Sequence, residues 1–154
     1  MKPLIDIGDK VARFKDTYNH KVSKYIVEFA VKHNCATIQM ENLSGFSEQQ
    51  SVKFLKNWAY HDLQTKIQYK CEEKGIKFVL IDPKYTSKRC SHCGCISDEN
   101  RDCKGNQARF KCVTCGHEEN ADINAAKNIS IPMIDSIIVD QLKMMKEFKD
   151  KKIS

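Results

Sequence analysis

The sequence of 154 residues predicts an α/β fold, and three observations support that prediction. Two long amphipathic segments alternate with two short apolar runs, which is the order of helices and parallel strands in an α/β layer. A cysteine-rich stretch interrupts the alternation, and two further helical segments follow it. Hydrophobic residues make up 41% of the chain, which is enough to form a core.

The first helix and strand are predicted from periodicity. Residues 8–33 place apolar side chains at steps of three and four, with charged and amide side chains between them, as an amphipathic helix does. That apolar stripe consists of Val11, Phe14, Tyr18, Val22, Tyr25, Ile26 and Phe29. Residues 36–40 alternate between apolar and polar side chains, which predicts a short strand.

A second helix and strand follow the same order. Residues 51–74 carry an apolar stripe that ends at Ile67 and Cys71, and Gly75 is placed to cap the helix. The apolar run 78–81 suits a strand that is covered on both faces, and the dipeptide Asp82-Pro83 ends it.

Two helices are predicted after the cysteine-rich stretch. Asn120 is placed as the N-cap of a helix that continues to Ile129. Pro132 interrupts the pattern, and a final helix runs from Ile134 to about Met145.

Charge, hydropathy and cysteine usage exclude several classes of protein. With 30% charged residues and no apolar run approaching ~20 residues, the chain is not embedded in a membrane. The net charge of +6 weakly favours a polyanionic partner. Eight cysteines without a signal-peptide core favour metal binding in a reducing cytosol over a disulfide framework. We therefore expect a cytoplasmic location.

Four of the cysteines have the spacing of a zinc ribbon. Cys90 and Cys93 form one C-x-x-C pair, and Cys112 and Cys115 form a second pair eighteen residues later. A glycine follows each pair and accepts the backbone turn that brings both thiolates to one ion. Two such knuckles supply the closed tetrahedron of structural zinc. The alternative is an iron site of the rubredoxin type, which uses the same ligands.

Positive charge is concentrated on and near this ribbon. Residues 84–112 carry seven basic and three acidic side chains, a net charge of +4. This composition favours contact with the phosphates of a nucleic acid. The alternative is a solvated loop of the same composition.

Two carboxylates are placed where they could bind catalytic divalent metal ions. Glu41 ends the first predicted strand, and Asp122 lies in the first turn of the helix after the ribbon. Taken alone, Asp122 is explained by the helix dipole and Glu41 by a solvated strand end. Consecutive units of an α/β layer, however, can bring such carboxylates to one sheet edge, where they hold divalent metals for phosphodiester hydrolysis. The small pair Ala125-Ala126 would let the helix lie close to the sheet.

Three stretches of the sequence resemble a known family. They are IQMENLSG, DPKYTSKRCSHCG and KCVTCGHEENADINAAKNI. In this order they are similar to the C-terminal nuclease half of the transposon-encoded TnpB proteins and of the miniature type V CRISPR effectors. The resemblance extends from the first helix to about Ile131, and the miniature effectors are the more similar group.

The resemblance implies an RNase H-like (RuvC-like) layer with three metal-binding acids and a zinc ribbon inserted before the third. Glu41 matches the second acid and Asp122 the third. The zinc ligands of the family match Cys90, Cys93, Cys112 and Cys115. The implied division of the chain is 1–83 for the helix–strand–helix–strand part, 84–119 for a ribbon that binds target nucleic acid, and 120–154 for the C-terminal helices.

The first acid of the family has no match in this chain. It lies on the first strand of a three-strand meander, so the chain corresponds to a partial layer that lacks its first three strands. Asp6 lies in a similar local sequence, but it leads directly into a helix instead of a hairpin, and we reject it. Asp82 is attributed to the termination of its strand.

The implied function is that of the C-terminal segment of an RNA-guided DNA endonuclease. Zinc would be structural, and Mg²⁺ would bind only in a completed site. The implied partners are DNA, guide RNA held through the rest of the effector, and the missing N-terminal part or a partner chain. Alone, the chain is expected to be inactive or nearly so. The alternatives are a free-standing, non-catalytic zinc-ribbon subunit that binds DNA or RNA or regulates, and a nuclease that uses Asp6.

Overall fold

The computed structural model describes residues 2–42, 51–101 and 105–151, and it has the α/β composition that the sequence predicts. The chain divides into two compact units, Met1–Leu80 and Ile81–Ser154. In chain order the elements are α1 (Lys2–Lys32), β1 (Thr37–Glu41), α2 (Ser51–Glu73), β2 (Lys77–Ile81), a 3₁₀ turn (Asp98–Asn100), β3 (Arg109–Lys111), β4 (Glu118–Asn120), α3 (Ala121–Ile129) and α4 (Ile134–Lys151).

The first unit packs α1 against α2 and pairs β1 with β2. The Lys77 backbone N–H donates to the Ala36 carbonyl at 2.9 Å, so the starts of the two strands lie side by side. The buried core of this unit consists of Val27, Ala30, Ile67, Cys71 and Ile76. The residues described in the first unit therefore form a small core between two helices and a two-stranded sheet.

The C-termini of α1 and α2 lie within one residue of the predicted ends, whereas α1 begins earlier and α4 ends later than predicted. Gly75 adopts a φ of 68°, and the Ile76 N–H donates to the Cys71 carbonyl at 2.9 Å, which closes the C-terminus of α2. Since α1 already begins at Lys2, Asp6 lies inside a helix. From the sequence, Asp6 is rejected because it leads directly into a helix instead of a hairpin, and its position within α1 agrees with that rejection.

The face that α1 turns to α2 differs from the predicted apolar stripe. Asn19 and Ser23 are buried on this face, whereas Phe14 and Tyr25 are 70% and 69% exposed. The physical reason is that α2 offers polar partners across the contact. The Asn19 amide donates to Asp62 at 2.8 Å, and the Lys70 ammonium donates to Ser23. The aromatic face, by contrast, consists of Phe14, Tyr18, Tyr25 and Phe29, all of them exposed in this chain.

We expect the isolated chain to self-associate through this aromatic face and through the edge of β1, whose strand partner among the described residues is β2. Covering a few hundred Å² of apolar surface is worth several kcal/mol at ~25 cal/mol per Å². Sedimentation should show dimers or larger species, and the double variant Phe14→Ser/Phe29→Ser should shift them toward monomer. Thr17→Ser, at an exposed polar position of the same helix, is the control. A monomer at every concentration, with slowly exchanging β1 amides, would contradict the expectation.

The second unit begins with Ile81 and contains the ribbon and the last two helices. Strands β3 and β4 are antiparallel, with Phe110 opposite Glu119. The predicted N-cap is confirmed, because the Asn120 side chain accepts from the backbone N–H groups of Asp122 and Ile123 at 2.9 and 3.3 Å. Helix α4 starts at Ile134, as predicted.

Within the described ranges, no helix has both the length and the apolar composition required to cross a membrane. The three-part division at residues 83 and 119 remains a prediction.

Candidate metal centre and acidic residues

The two cysteine pairs adopt the same local backbone arrangement. In the first, the Cys90 N–H donates to the Cys95 carbonyl and the Gly94 N–H donates back to the Cys90 carbonyl, at 2.8 and 2.9 Å. In the second, Cys112 and Gly116 repeat both bonds at 2.9 and 3.0 Å. Gly94 and Gly116 have φ values of 79° and 73°, the left-handed conformation predicted for the glycine after each pair. The repeated sequence motif therefore folds as two matching knuckles.

The knuckles bring the four cysteines together. All four Sγ atoms lie within 4.8 Å of one another. The Sγ atoms of Cys90 and Cys115 are 3.8 Å apart, and those of Cys93 and Cys112 are 3.5 Å apart. Four sulfurs at 2.3 Å around a tetrahedral ion are about 3.8 Å apart, so the cluster has the dimensions of a metal site and suits zinc.

The local environment makes the four thiols unequal. Burial alone would raise the pKa of Cys112, but hydrogen bonds from the backbone N–H groups of Cys115 and Thr114, and from the thiols of Cys93 and Cys115, lower it to about 6. The backbone N–H of Cys95 lowers the pKa of Cys93, yet burial and the other three thiols raise it to about 12. Cys112 thus ionises at a lower pH than Cys93, and a metal ion that binds the Cys93 thiolate must displace its proton.

Part of the predicted positive charge is balanced inside the ribbon. Arg109 and Lys111, both on β3, pair with Glu118 on β4 at 3.1 and 2.6 Å. Lys88 pairs with Asp98. These ion pairs are exposed and of modest strength, so their basic side chains can leave the carboxylates and bind phosphates instead.

Helix α3 holds the first knuckle with two buried amides. Asn124 accepts from the Ser91 N–H and donates to the Arg89 carbonyl, both at 2.9 Å. Asn128 donates to the carbonyls of Thr86 and Arg89 at 3.0 and 2.7 Å. The buried face of α3 consequently contains these amides and Ala121, while Ala126 of the pair expected to allow close packing is exposed.

Glu119 on β4 forms a second connection in this unit. Its carboxylate accepts from the Ser91 hydroxyl at 2.7 Å, contacts His117 at 2.8 Å and pairs with Lys127 at 2.6 Å. Burial raises its pKa, but these donors outweigh burial and lower the pKa to about 2. Glu119 is therefore a charged, nearly buried group that joins the first knuckle, the second knuckle and α3.

Replacement of Glu119 by glutamine should destabilise the second unit by about 1–3 kcal/mol at pH 7, since charge-assisted hydrogen bonds are lost. Because its pKa is depressed, the Glu119 carboxylate stabilises the folded state fully at pH values above the ordinary pKa of 4.5. This stabilisation is lost as the pH falls towards about 2. The deficit of Glu119→Gln should therefore shrink below pH 4.5, as measured by denaturant unfolding of the variant and the unmodified chain at the same pH and zinc concentration. The exposed Glu99→Gln is the control. Equal stability at pH 7 would contradict the expectation.

Glu41 ends β1, as predicted, and α2 holds its backbone. The Gln64 side chain donates to the Glu41 carbonyl at 2.7 Å. Tyr60 lies one helical turn before Gln64. The pKa of the Tyr60 phenol is raised, first by burial and then by the charge of Glu41, although a hydrogen bond with Gln64 opposes the shift. The hydrogen bond from Gln64 thus fixes the end of β1 against α2 at Glu41, the candidate acid.

The other carboxylates lie where their sequence context suggests. Asp122 is exposed in the first turn of α3. The Asp82 carboxylate accepts from the Lys84 backbone N–H at 2.9 Å, which is the role of a turn-forming residue after a strand. Glu41 belongs to the first compact unit and Asp122 to the second, so their approach stays a prediction.

Sequence patterns did not indicate the roles of Asn124, Asn128, Glu119 and Gln64. One signal was available for the first two, because amides at positions i and i+4 of a short helix lie on one face. No pattern in the sequence shows that this face is buried, or that its partners are main-chain groups of the segment around Cys90.

Comparisons with known proteins place this chain in a family. Residues 60–129 match the family model described as "Cas12f1-like, TNB domain". The CRISPR-associated endodeoxyribonuclease Cas12f1 of Sulfoacidibacillus thermotolerans is 54% identical over 143 residues, which cover 93% of this chain and 33% of that protein. The Cas12f1 of Syntrophomonas palmitatica is 44% identical over 167 residues, covering 92% of this chain and 34% of that protein. Proteins named TnpB-like also match.

A solved structure agrees with these relatives. A cryo-EM structure of a Cas12f1–sgRNA–target DNA complex matches with a TM-score of 0.71 and 34% identity, over 85% of this chain and 37% of that one. The chain thus spans about a third of the length of the curated relatives that it matches. It belongs to the family of miniature type V CRISPR effectors and their TnpB relatives, and it corresponds to a C-terminal part of such an effector.

Proposed function

We propose that this chain is the C-terminal nuclease segment of an RNA-guided DNA endonuclease. It contributes two of three metal-binding acids and a zinc ribbon that contacts nucleic acid. The observation that carries the proposal is a four-cysteine cluster in a chain that is 54% identical, over 143 residues, to a protein named Cas12f1. The assignment of Glu41 and Asp122 as acids is part of the proposal. DNA, and guide RNA through the rest of the effector, are the proposed partners.

In this proposal Cys90, Cys93, Cys112 and Cys115 hold one structural zinc ion. The fit rests on the sulfur separations and on the absence of a histidine or carboxylate from the described cluster. Four thiolates form a closed coordination shell, which leaves no position for a reacting water. The ribbon therefore acts in binding, and its exposed basic side chains are available to phosphates.

Glu41 and Asp122 are the proposed acids, and carboxylate oxygens are the ligands that Mg²⁺ prefers. When bound, Mg²⁺ would activate water and stabilise the leaving oxygen in phosphodiester hydrolysis. The protein contributes fixed positions: Gln64 holds the backbone of Glu41, and the Asn120 cap holds the first turn that carries Asp122. We assign the helix–strand–helix–strand part (1–83) and the C-terminal helices (120–154) to a partial RuvC-like layer, and residues 84–119 to the target-binding ribbon.

A chimeric effector tests this function. The matching third of the Sulfoacidibacillus thermotolerans relative would be replaced by this chain and supplied with guide RNA, target DNA and Mg²⁺. We expect guide-dependent cleavage by the chimera and none by the isolated chain, because the first acid is missing. Cleavage is followed on a labelled duplex, with the unmodified relative as the positive control.

Two outcomes would contradict the proposal. A folded, zinc-loaded chimera that binds guide and target but does not cut would favour a non-catalytic nucleic-acid-binding subunit. Mg²⁺-dependent cleavage by the isolated chain that disappears in Asp6→Ala would instead favour a nuclease that uses Asp6 as its acid.

A further inference from the structure

Two amide side chains on α3 are fully buried and belong to no metal site. Asn124 and Asn128 are both 0% exposed and lie one helical turn apart. Burying an amide is unfavourable unless its polar atoms are hydrogen-bonded. The partners of these two amides therefore show what their burial achieves.

The partners lie on the stretch that leads into the first knuckle. Thr86, Arg89 and Ser91 supply backbone groups to the two amides. The Arg89 guanidinium also donates to the Asn128 oxygen at 2.8 Å. This stretch contains Cys90 and lies in neither a helix nor a strand, so its position is set by its contacts.

The same helix carries Asp122. Helix α3 has nine residues, and a helix of that length is not stable in water without tertiary contacts. Asp122 precedes Asn124 by only two positions, so the contacts that hold Asn124 also hold the turn that carries the carboxylate. Loss of the metal would free Cys90 and with it the backbone groups that the amides bind.

A third buried amide provides a contrast. Asn100, 1% exposed, donates to the carbonyls of Lys88 and Cys95 and accepts from the Val113 N–H, at 2.9, 3.1 and 3.0 Å. These three contacts join parts of the ribbon to one another, and none of them involves α3. Asn100 is therefore matched to the α3 amides in chemistry and burial, but it stabilises the ribbon alone.

We propose that Asn124 and Asn128 are positioning residues that make the placement of Asp122 depend on metal occupancy of the four-cysteine cluster. The inference rests on the proposed function only in giving Asp122 the role of an acid. The ribbon is then more than a binding module, because an ion held by its cysteines also orders a helix that contributes to the nuclease site.

Hydrogen exchange on the complete 154-residue chain tests this coupling. In the unmodified chain, chelation of zinc should accelerate exchange of the α3 amides from Ala125 to Ile129 by at least about tenfold, and added zinc should restore protection. This comparison needs no variant. Exchange in α3 that is the same with and without zinc would overturn the proposal.

Variants separate positioning from general stability. Asn128→Leu keeps the side-chain size and all four cysteines, so the Co²⁺-loaded chain should retain the spectrum of a four-thiolate site. Its α3 amides should nevertheless gain clearly less protection from metal than those of the unmodified chain, since Asn124 and Glu119 still connect α3 to the knuckles. In Asn100→Leu the metal should bind more weakly. The protection of the α3 amides from hydrogen exchange should nevertheless still increase with metal occupancy of the four-cysteine cluster.

A zinc-dependent gain of protection in Asn128→Leu equal to that of the unmodified chain would overturn the proposal. If Asn128→Leu does not bind metal, Asn124→Leu is used in its place, since it removes only the contacts to Arg89 and Ser91. A reduced zinc-dependent gain of protection again supports the proposal, and an unchanged gain overturns it. The chimera is an independent test. If the chimera cleaves DNA but exchange of the α3 amides does not depend on zinc, only this inference is contradicted. If exchange depends on zinc but the chimera does not cleave, only the proposed function is contradicted.

Discussion

Removing zinc, or replacing Cys112 by serine, is expected to unfold the ribbon. Binding of structural zinc by such sites is worth about 10–16 kcal/mol, which is at least as large as the whole stability of an ordinary domain. Cys112 is the most informative position because its thiol is buried and its hydrogen bonds lower its pKa to about 6. Serine at this position removes a thiolate and leaves three.

Metal analysis and thermal unfolding measure this effect. The unmodified chain should contain one zinc ion, and Cys112→Ser should lose most of it together with the unfolding transition of the second unit. Cys35→Ser, which changes an exposed thiol of the first unit, should leave both unchanged. One iron per chain with a rubredoxin-like visible spectrum would contradict the zinc assignment.

Glu41→Gln and Asp122→Asn should each reduce cleavage by the chimeric effector about a thousandfold. Each amide keeps the shape of the side chain and removes the negative charge that holds a divalent ion, which costs several kcal/mol of transition-state stabilisation. Zinc content and unfolding temperature should not change, because neither carboxylate belongs to the cysteine cluster.

Asp82→Asn is the matched control for these two substitutions. Asp82 also follows a strand, but its carboxylate accepts from the Lys84 N–H, so the variant should cleave within a few-fold of the unmodified chimera. A loss in Asp82→Asn as large as that in Glu41→Gln would show that the wrong strand-end acid has been assigned.

The features that the sequence predicts well are those with local causes. The two C-x-x-C-G motifs need a left-handed glycine and close backbone hydrogen bonds, and both knuckles form them. The N-cap at Asn120 and the cap at Gly75 likewise depend on neighbours in the chain. Periodicity places the helices and strands for the same reason.

The features that the sequence misses depend on partners distant in the chain. Asn19 and Ser23 are buried because α2 presents Asp62 and Lys70 to them, and no local pattern distinguishes that polar face from the aromatic one. Asn128 is buried because main-chain groups 39 and 42 residues away bind its amide. The proposed sharing of ions by Glu41 and Asp122 likewise depends on residues that are far apart in the chain.

The central claim is that Glu41 and Asp122 hold the same divalent ions, and its most direct test is a structure of the chimeric effector with guide, target and divalent metal. We expect both carboxylates to contact ions that are ~3.5–4 Å apart, as in two-metal nuclease sites. Glu41 and Asp122 on opposite faces of the sheet, with no shared ion, would contradict the claim.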